Sequence, residues 1–227
     1  MGGIAMQFDE IRVFFTKTGM AKYISHLDLM RCMTRALRRA RVPLWYTEGY
    51  NPHLFMTFAR PLPLGVESLC EVMDVRLTGE MTFREIKERL QAALPRDITV
   101  VSVAKPVHKP TEIAFADYEL VLYTTRPDAL AAAIRERFCR ETLPVLKKAK
   151  QGRRRVEKET DIKPNILSLE VCEAEDGVRL SARVTAGDQN NVSPALLLEA
   201  LLPDGGLYRH ADILKRRVLL QSGEPFC

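Results

Sequence analysis

Residues 23–53 read YISHLDLMRCMTRALRRARVPLWYTEGYNPH, and this stretch decides how the chain is built. Ser25 is placed to cap a helix, with Asp28 three residues later completing a Ser-x-x-Asp variant of the capping box. From Asp28 to Arg41 the period is helical: Met30, Met33, Leu37 and Ala40 fall on one face, flanked by Leu29 and Ala36, while Arg31, Arg35 and Arg38 share the other. Pro43 ends the helix, and residues 44–47 (LWYT) open a strand. Glu48 to His53 is rich in turn formers and reads as a loop.

Upstream, IRVFFT (11–16) is a first strand closed by Lys17-Thr18-Gly19. Downstream, strands are expected at 54–59 and 69–77, a helix at 82–94 and a strand at 98–103, with the proline-rich 60–65 irregular. The order strand, helix, strands, helix, strand is the split βαβ pattern of a ferredoxin-like α+β domain with an antiparallel sheet. The second half repeats this order more loosely, with strands at 118–124, 165–172, 178–185 and 213–220 and helices at 128–139 and 193–202. The reading is therefore two ferredoxin-like subdomains, 1–104 and 112–227, joined by a linker at 105–111. Duplication rests on element order, since the halves share no residue-level similarity.

The totals narrow the function. With 227 residues and 46% hydrophobic content the chain can bury a real core. A formal charge of +5, from 34 basic against 29 acidic residues, permits a polyanionic partner without requiring one. No apolar run is long enough to span a bilayer and the N-terminus carries no signal pattern, so a cytoplasmic protein is expected. Met6 breaks the myristoylation pattern that Met1-Gly2 begins. Cysteines 32, 70, 139, 172 and 227 lack the short spacings of a zinc ribbon or an iron–sulfur cluster, and no metal or cofactor is expected on this chain.

Two kinds of candidate residue emerge. His26 and His53 could serve as general acid and base, or simply complete a cap and a turn; no third orienting group accompanies them. Together with Asp28 they make a poor metal set. Arg31, Arg35 and Arg38 form a stripe suited to a phosphate backbone, beside Tyr50, Asn51 and His53 of the loop. Of Trp45 and Tyr46, strand alternation sends at least one into the core. Between 147 and 155 lie six basic side chains and no acidic one, Lys147, Lys148, Lys150, Arg153, Arg154 and Arg155, within a segment 147–160 expected as a loop: a solvated one or a phosphate-binding arm. No nucleotide-binding fingerprint or nucleophile elbow is present.

The segments FTKTG (15–19), YISHLDLMR (23–31), ALRRARVPLWYTEGYNPH (36–53), FARPLPLGVES (58–68) and TDIKPNI (160–166) together resemble the bacterial radical-SAM-linked protein family, a domain of unknown function encoded beside or fused to radical S-adenosylmethionine proteins. The resemblance runs nearly end to end. It implies a radical SAM partner that supplies the iron–sulfur cluster and S-adenosylmethionine in trans. The family pattern Asp-Ile-Arg-Pro meets Lys163 here, which keeps the charge but not the guanidinium fork. The first half is also similar, in element order and in its histidine beside a basic helix, to CRISPR repeat-processing endoribonucleases. The leading expectation is an accessory RNA-binding protein that presents tRNA or rRNA to the radical enzyme through the arginine stripe, the basic loop and Lys163. An RNA-processing or RNA-modifying enzyme built on His26 and His53 is the first alternative, and a pure protein adaptor the second.

Overall fold

A computed structural model describes residues 9–151, 154–188 and 190–226. The chain divides into two compact units, Met1–Pro110 and Thr111–Phe226. In the first unit the elements are β1 (Asp9–Lys17), α1 (His26–Arg39), β2 (Met56–Phe58), β3 (Val66–Leu77), α2 (Phe83–Ala93) and β4 (Ile98–Ala104). β1 lies antiparallel between β4 and β3, and β2 pairs antiparallel with β3. The neighbour order β4, β1, β3, β2 is that of a split βαβ, ferredoxin-like sheet.

Strand alternation sorts β1 into two functions. Ile11, Val13 and Phe15 face the helices and are buried with Leu29, Met33, Leu37, Ile86 and Leu90. Between them, Arg12 points to the other face. It stands directly across from Asp74 of β3 and donates through Nε at 2.7 Å and through Nη2 at 2.8 Å to the two carboxylate oxygens. Arg12 is 2% and Asp74 5% exposed, so this is a buried bidentate pair.

Helix α1 buries Leu29, Met33, Ala36 and Leu37, with Ala40 just beyond its end. Met30, expected in the seam, is only half-buried, because the stripe runs one position to the side of the expected one. The helix stops before Pro43 is reached. Ala40 is its C-cap, Arg41 adopts φ 54°, and the amides of Arg41 and Val42 reach back to the carbonyls of Arg38 and Leu37. This is a Schellman ending with arginine where glycine is usual.

The expected strand at 44–47 is reduced to isolated bridges, Leu44 to Leu77 and Tyr46 to Leu54, and the strand at 54–59 shrinks to Met56–Phe58. Pro43 and the 48–53 turn leave too little chain between them for a continuous ladder.

The second unit contains β5 (Ile113–Tyr123), α3 (Pro127–Phe138), β6 (Pro144–Gln151), β7 (Arg154–Asp161), β8 (Ile166–Ala174), β9 (Gly177–Thr185), α4 (Pro194–Leu201) and β10 (His210–Leu220). β5 is paired antiparallel on one side with β10 and on the other with β9, which in turn pairs with β8. The ferredoxin-like order thus recurs, with β6 and β7 inserted after the first helix.

That insertion corrects the loop expected at 147–160. The segment is an antiparallel hairpin, in register from Pro144 opposite Asp161 to Gln151 opposite Arg154. Charged residues hid the strand signal, which depends on apolar alternation; Val145, buried at the base, carries part of it.

Removing one partner of a buried ion pair strands the other charge. Asp74→Ala should therefore destabilise the protein by about 3–5 kcal/mol, read from denaturant unfolding. A loss below about 1 kcal/mol would show the pair to be dispensable.

Candidate nucleic-acid interface

At the start of α1 the Ser25 hydroxyl accepts the Asp28 amide at 3.2 Å and donates to Asp28 Oδ2 at 2.7 Å. Arg31 Nη1 adds a bond to Asp28 Oδ1 at 3.1 Å. The Ser25 hydroxyl first, and Arg31 second, hold the Asp28 carboxyl below the usual aspartate range. Part of the arginine stripe is thus spent on the helix itself. Arg38 donates through Nε to the Tyr46 hydroxyl at 3.0 Å, its guanidinium 5.5 Å from that ring's centre. Arg35 is exposed and, among the described residues, makes no hydrogen bond or ion pair.

The two histidines have separate attachments. His26, the first residue of α1, sets its ring edge-on to Phe58, with centroids 5.1 Å apart. His53 closes its own loop: its carbonyl accepts the Thr47 amide at 2.8 Å, its amide donates to Thr47 Oγ1 at 3.1 Å, and its Nδ1 lies 2.9 Å from the same hydroxyl. Among the described residues no hydrogen bond joins His26 to His53, and no three of His, Cys, Asp and Glu converge as metal ligands.

Inside the loop that His53 closes, Gly49 sits at φ 130° and Tyr50 is 99% exposed. Asn51, also exposed, offers its carbonyl to His53 Nδ1 at 3.3 Å. Tyr46 packs against the core, whereas Trp45 turns to the opposite side, 5.7 Å from Phe55 with Arg76 beside both rings. This is the division that strand alternation requires.

In the second unit Asp161 clamps the base of the hairpin. Its Oδ1 accepts the amides of Leu143 at 2.7 Å and Lys163 at 3.0 Å, while the Ile162 amide reaches the Leu143 carbonyl at 3.0 Å. Lys163 is turned inward to the end of α3: its ammonium bonds to the Phe138 carbonyl and lies 3.4 Å from the centre of that ring. A cation at the last turn of a helix complements its dipole. The motif Asp161-Ile162-Lys163-Pro164 thus fastens the hairpin to α3.

Lys147 anchors the hairpin's flank through Nζ to the Asn191 carbonyl at 3.1 Å. Lys148, Lys150, Arg154 and Arg155 occupy the paired strands, with Lys150 in register opposite Arg155; Arg153 lies outside the described residues.

The arrangement defines a tandem ferredoxin-like α+β protein whose second unit carries an inserted basic hairpin. The chain belongs to the family DUF2344, described as an uncharacterized protein conserved in bacteria, whose model matches residues 10–194. No curated protein matches it. Among solved structures, a chain in the crystal structure of a Cbf5-Nop10-Gar1 complex is similar at 13% identity, with a TM-score of 0.47, over 92% of this chain and 48% of its own. This chain therefore spans about half the length of that relative. An unknown protein from Galdieria sulphuraria is similar at 13% identity, with a TM-score of 0.27, over 91% of this chain and 96% of its own. No described helix is long and apolar enough to cross a membrane.

Two outcomes follow from these clamps. Asp161→Ala should cost about 1 kcal/mol and speed hydrogen exchange at the Leu143 and Lys163 amides, since both lose a half-buried acceptor; unchanged protection would contradict the clamp. Ser25→Ala should cost about 1 kcal/mol. Because the Asp28 carboxyl is lowered on folding, its contribution is present above the unfolded-state value and is lost as pH falls through the folded one. The difference between wild type and Ser25→Ala should accordingly shrink in strong acid, as measured by paired thermal unfolding.

Proposed function

We propose that this chain is an RNA-binding accessory protein that presents a structured RNA, tRNA or rRNA, to a radical SAM enzyme. The observation that carries the proposal is the β6–β7 ribbon, whose register brings Lys147, Lys148, Lys150, Arg154 and Arg155 onto two paired strands fastened at their base by Asp161. Preformed backbone lowers the ordering cost of binding, so a paired ribbon makes a better polyanion contact than the mobile loop the composition suggests. In the first unit, Arg35 on α1 and the exposed Tyr50 add a cation and a ring that are not consumed by internal contacts.

The radical SAM partner rests on the sequence resemblance and on the cysteines. Five thiols without cluster spacing cannot assemble the iron–sulfur centre on this chain, so the cluster and S-adenosylmethionine belong to the partner. The chain's own role is then binding and presentation rather than bond-making.

Fluorescence anisotropy with labelled bulk tRNA, titrated from low to moderate salt, tests the proposal. Affinity should fall steeply with salt, and replacing Arg153, Arg154 and Arg155 together by Gln should flatten the logarithmic salt slope by about 2–3. An unchanged slope and affinity in that variant would sink the ribbon as the contact. Recovery of a radical SAM protein with the tagged chain after nuclease treatment separately tests the partner.

A further inference from the structure

The sheet of the second unit has a second face, opposite its helices. Tyr118, Leu120 and Leu122 of β5 lie inward, in register with Ala182, Leu180 and Val178 of β9. The alternate residues of β5 therefore face outward, and the last of them is Tyr123. Directly across on β10 is His210, whose ring stacks on Tyr123 at 15° and 6.0 Å between centroids. One carboxylate holds both rings: the Tyr123 hydroxyl donates to Asp212 Oδ2 at 3.1 Å, and His210 Nε2 lies 3.3 Å from Asp212 Oδ1. A stacked pair pinned in this way loses little freedom when a third ring joins it.

The other flank of the half-buried Tyr123 lies toward β9. Its register partner on β9 is Gly177, which has no side chain to lay against the ring. A Cβ built there would come within 2.1 Å of the Leu122 carbonyl oxygen, so the close approach of the two strands requires glycine. Two positions along β9, on the same face, stands Arg179, exposed and, among the described residues, without a hydrogen bond or ion pair.

Further along the same face Arg183 donates to both oxygens of Asp117, at 2.7 and 3.0 Å, and Arg217 reaches the same carboxylate at 3.0 Å. Two guanidinium groups sharing one carboxylate leave that row positive. Asp212 and, more weakly, Asp176 beside Gly177 are the acidic groups within electrostatic reach of Tyr123.

We propose that this face is a binding site for single-stranded RNA: an unpaired base stacks on the Tyr123–His210 pair, whose histidine is exposed, and the strand's phosphates run along Arg179 toward Arg183 and Arg217. Stacked aromatics on an antiparallel sheet with arginines along the strand path are the means by which unpaired nucleotides are held without dependence on a groove. The inference deepens the RNA-binding reading, on which it rests, by naming unpaired nucleotides as the segment recognised; the hairpin's contact would be with phosphates alone.

The test uses the full chain and two fluorescein-labelled probes, a ten-nucleotide oligoadenylate and a ten-base-pair RNA duplex, compared by anisotropy at fixed salt. Tyr123→Ala should weaken the single strand by about tenfold or more and leave the duplex within about twofold. Tyr123→Phe, which keeps the ring and gives up the bond to Asp212, should retain most of the single-strand affinity. Arg179→Gln should reduce the single-strand salt slope by about one phosphate contact. Should Tyr123→Ala fold poorly by circular dichroism, the exposed substitutions His210→Ala and Arg179→Gln decide in its place. Single-strand affinity unchanged in these variants, while the wild type still binds and the triple substitution at 153–155 still weakens binding, overturns this site alone. Failure of the wild type to bind either probe or tRNA overturns this site and the RNA reading together.

Discussion

Each unit depends on a cross-strand carboxylate–guanidinium pair between its first and third strands. In the first unit Arg12 of β1 faces Asp74 of β3; in the second, Asp117 of β5 faces Arg183 of β9, in the same bidentate geometry with the charges exchanged. Each pair stands on the sheet face turned away from the helices. Sheet register is vulnerable to one-residue slips, which would exchange core and outer faces. A bidentate pair tolerates no such slip, because the fork must meet both oxygens. In the first unit the pair is buried, so a slip would also strand two charges. The recurrence at one topological position, with polarity reversed, is a structural sign of duplication that residue identity does not preserve.

Charge in this chain does more inside the fold than its composition suggests. Arg31 serves the cap of α1, Arg38 the Tyr46 hydroxyl, Arg39 the Ala93 carbonyl at the end of α2, and Lys163 the end of α3. These side chains supply donors where helix ends and loop carbonyls need them. Among the candidate residues, what remains for a partner is concentrated at Arg35 and along the β6–β7 ribbon. The outer face of the second sheet adds another set, in which arginines satisfy carboxylates of their own sheet and still present exposed guanidinium edges.

Much of the fold was legible because helices and half-buried strands announce themselves by period. The α1 cap at Ser25, the α2 helix after Thr82, the Ser193-Pro194 start of α4 and the ferredoxin-like order of both halves all rest on local rules. Elements whose pairing is not supported by an apolar period were missed or misjudged. The 147–160 hairpin looked like a loop because its strands are charged, and the 44–47 strand dissolved into bridges because its partners are short. The Tyr123–His210–Asp212 group gave no signal, since Tyr123 lies 87 positions from His210 and the two meet only through the β5–β10 register.

The sequence by itself determined where helices begin, most of the residues that enter each core and the ferredoxin-like order of elements apart from the inserted hairpin, because these depend on neighbours within a few positions along the chain. Only the tertiary structure decided what the charged residues do. A guanidinium's partner is set by which strand or helix end lies across from it, and the chain meets that partner after long excursions: 62 residues for Arg12 and Asp74, 66 for Asp117 and Arg183. The stretch at 23–53 accordingly became a capped helix and a self-closed loop whose two histidines have different neighbours, one against Phe58 and one against Thr47. The outward-facing chemistry of the second unit came into view only once the strands were paired.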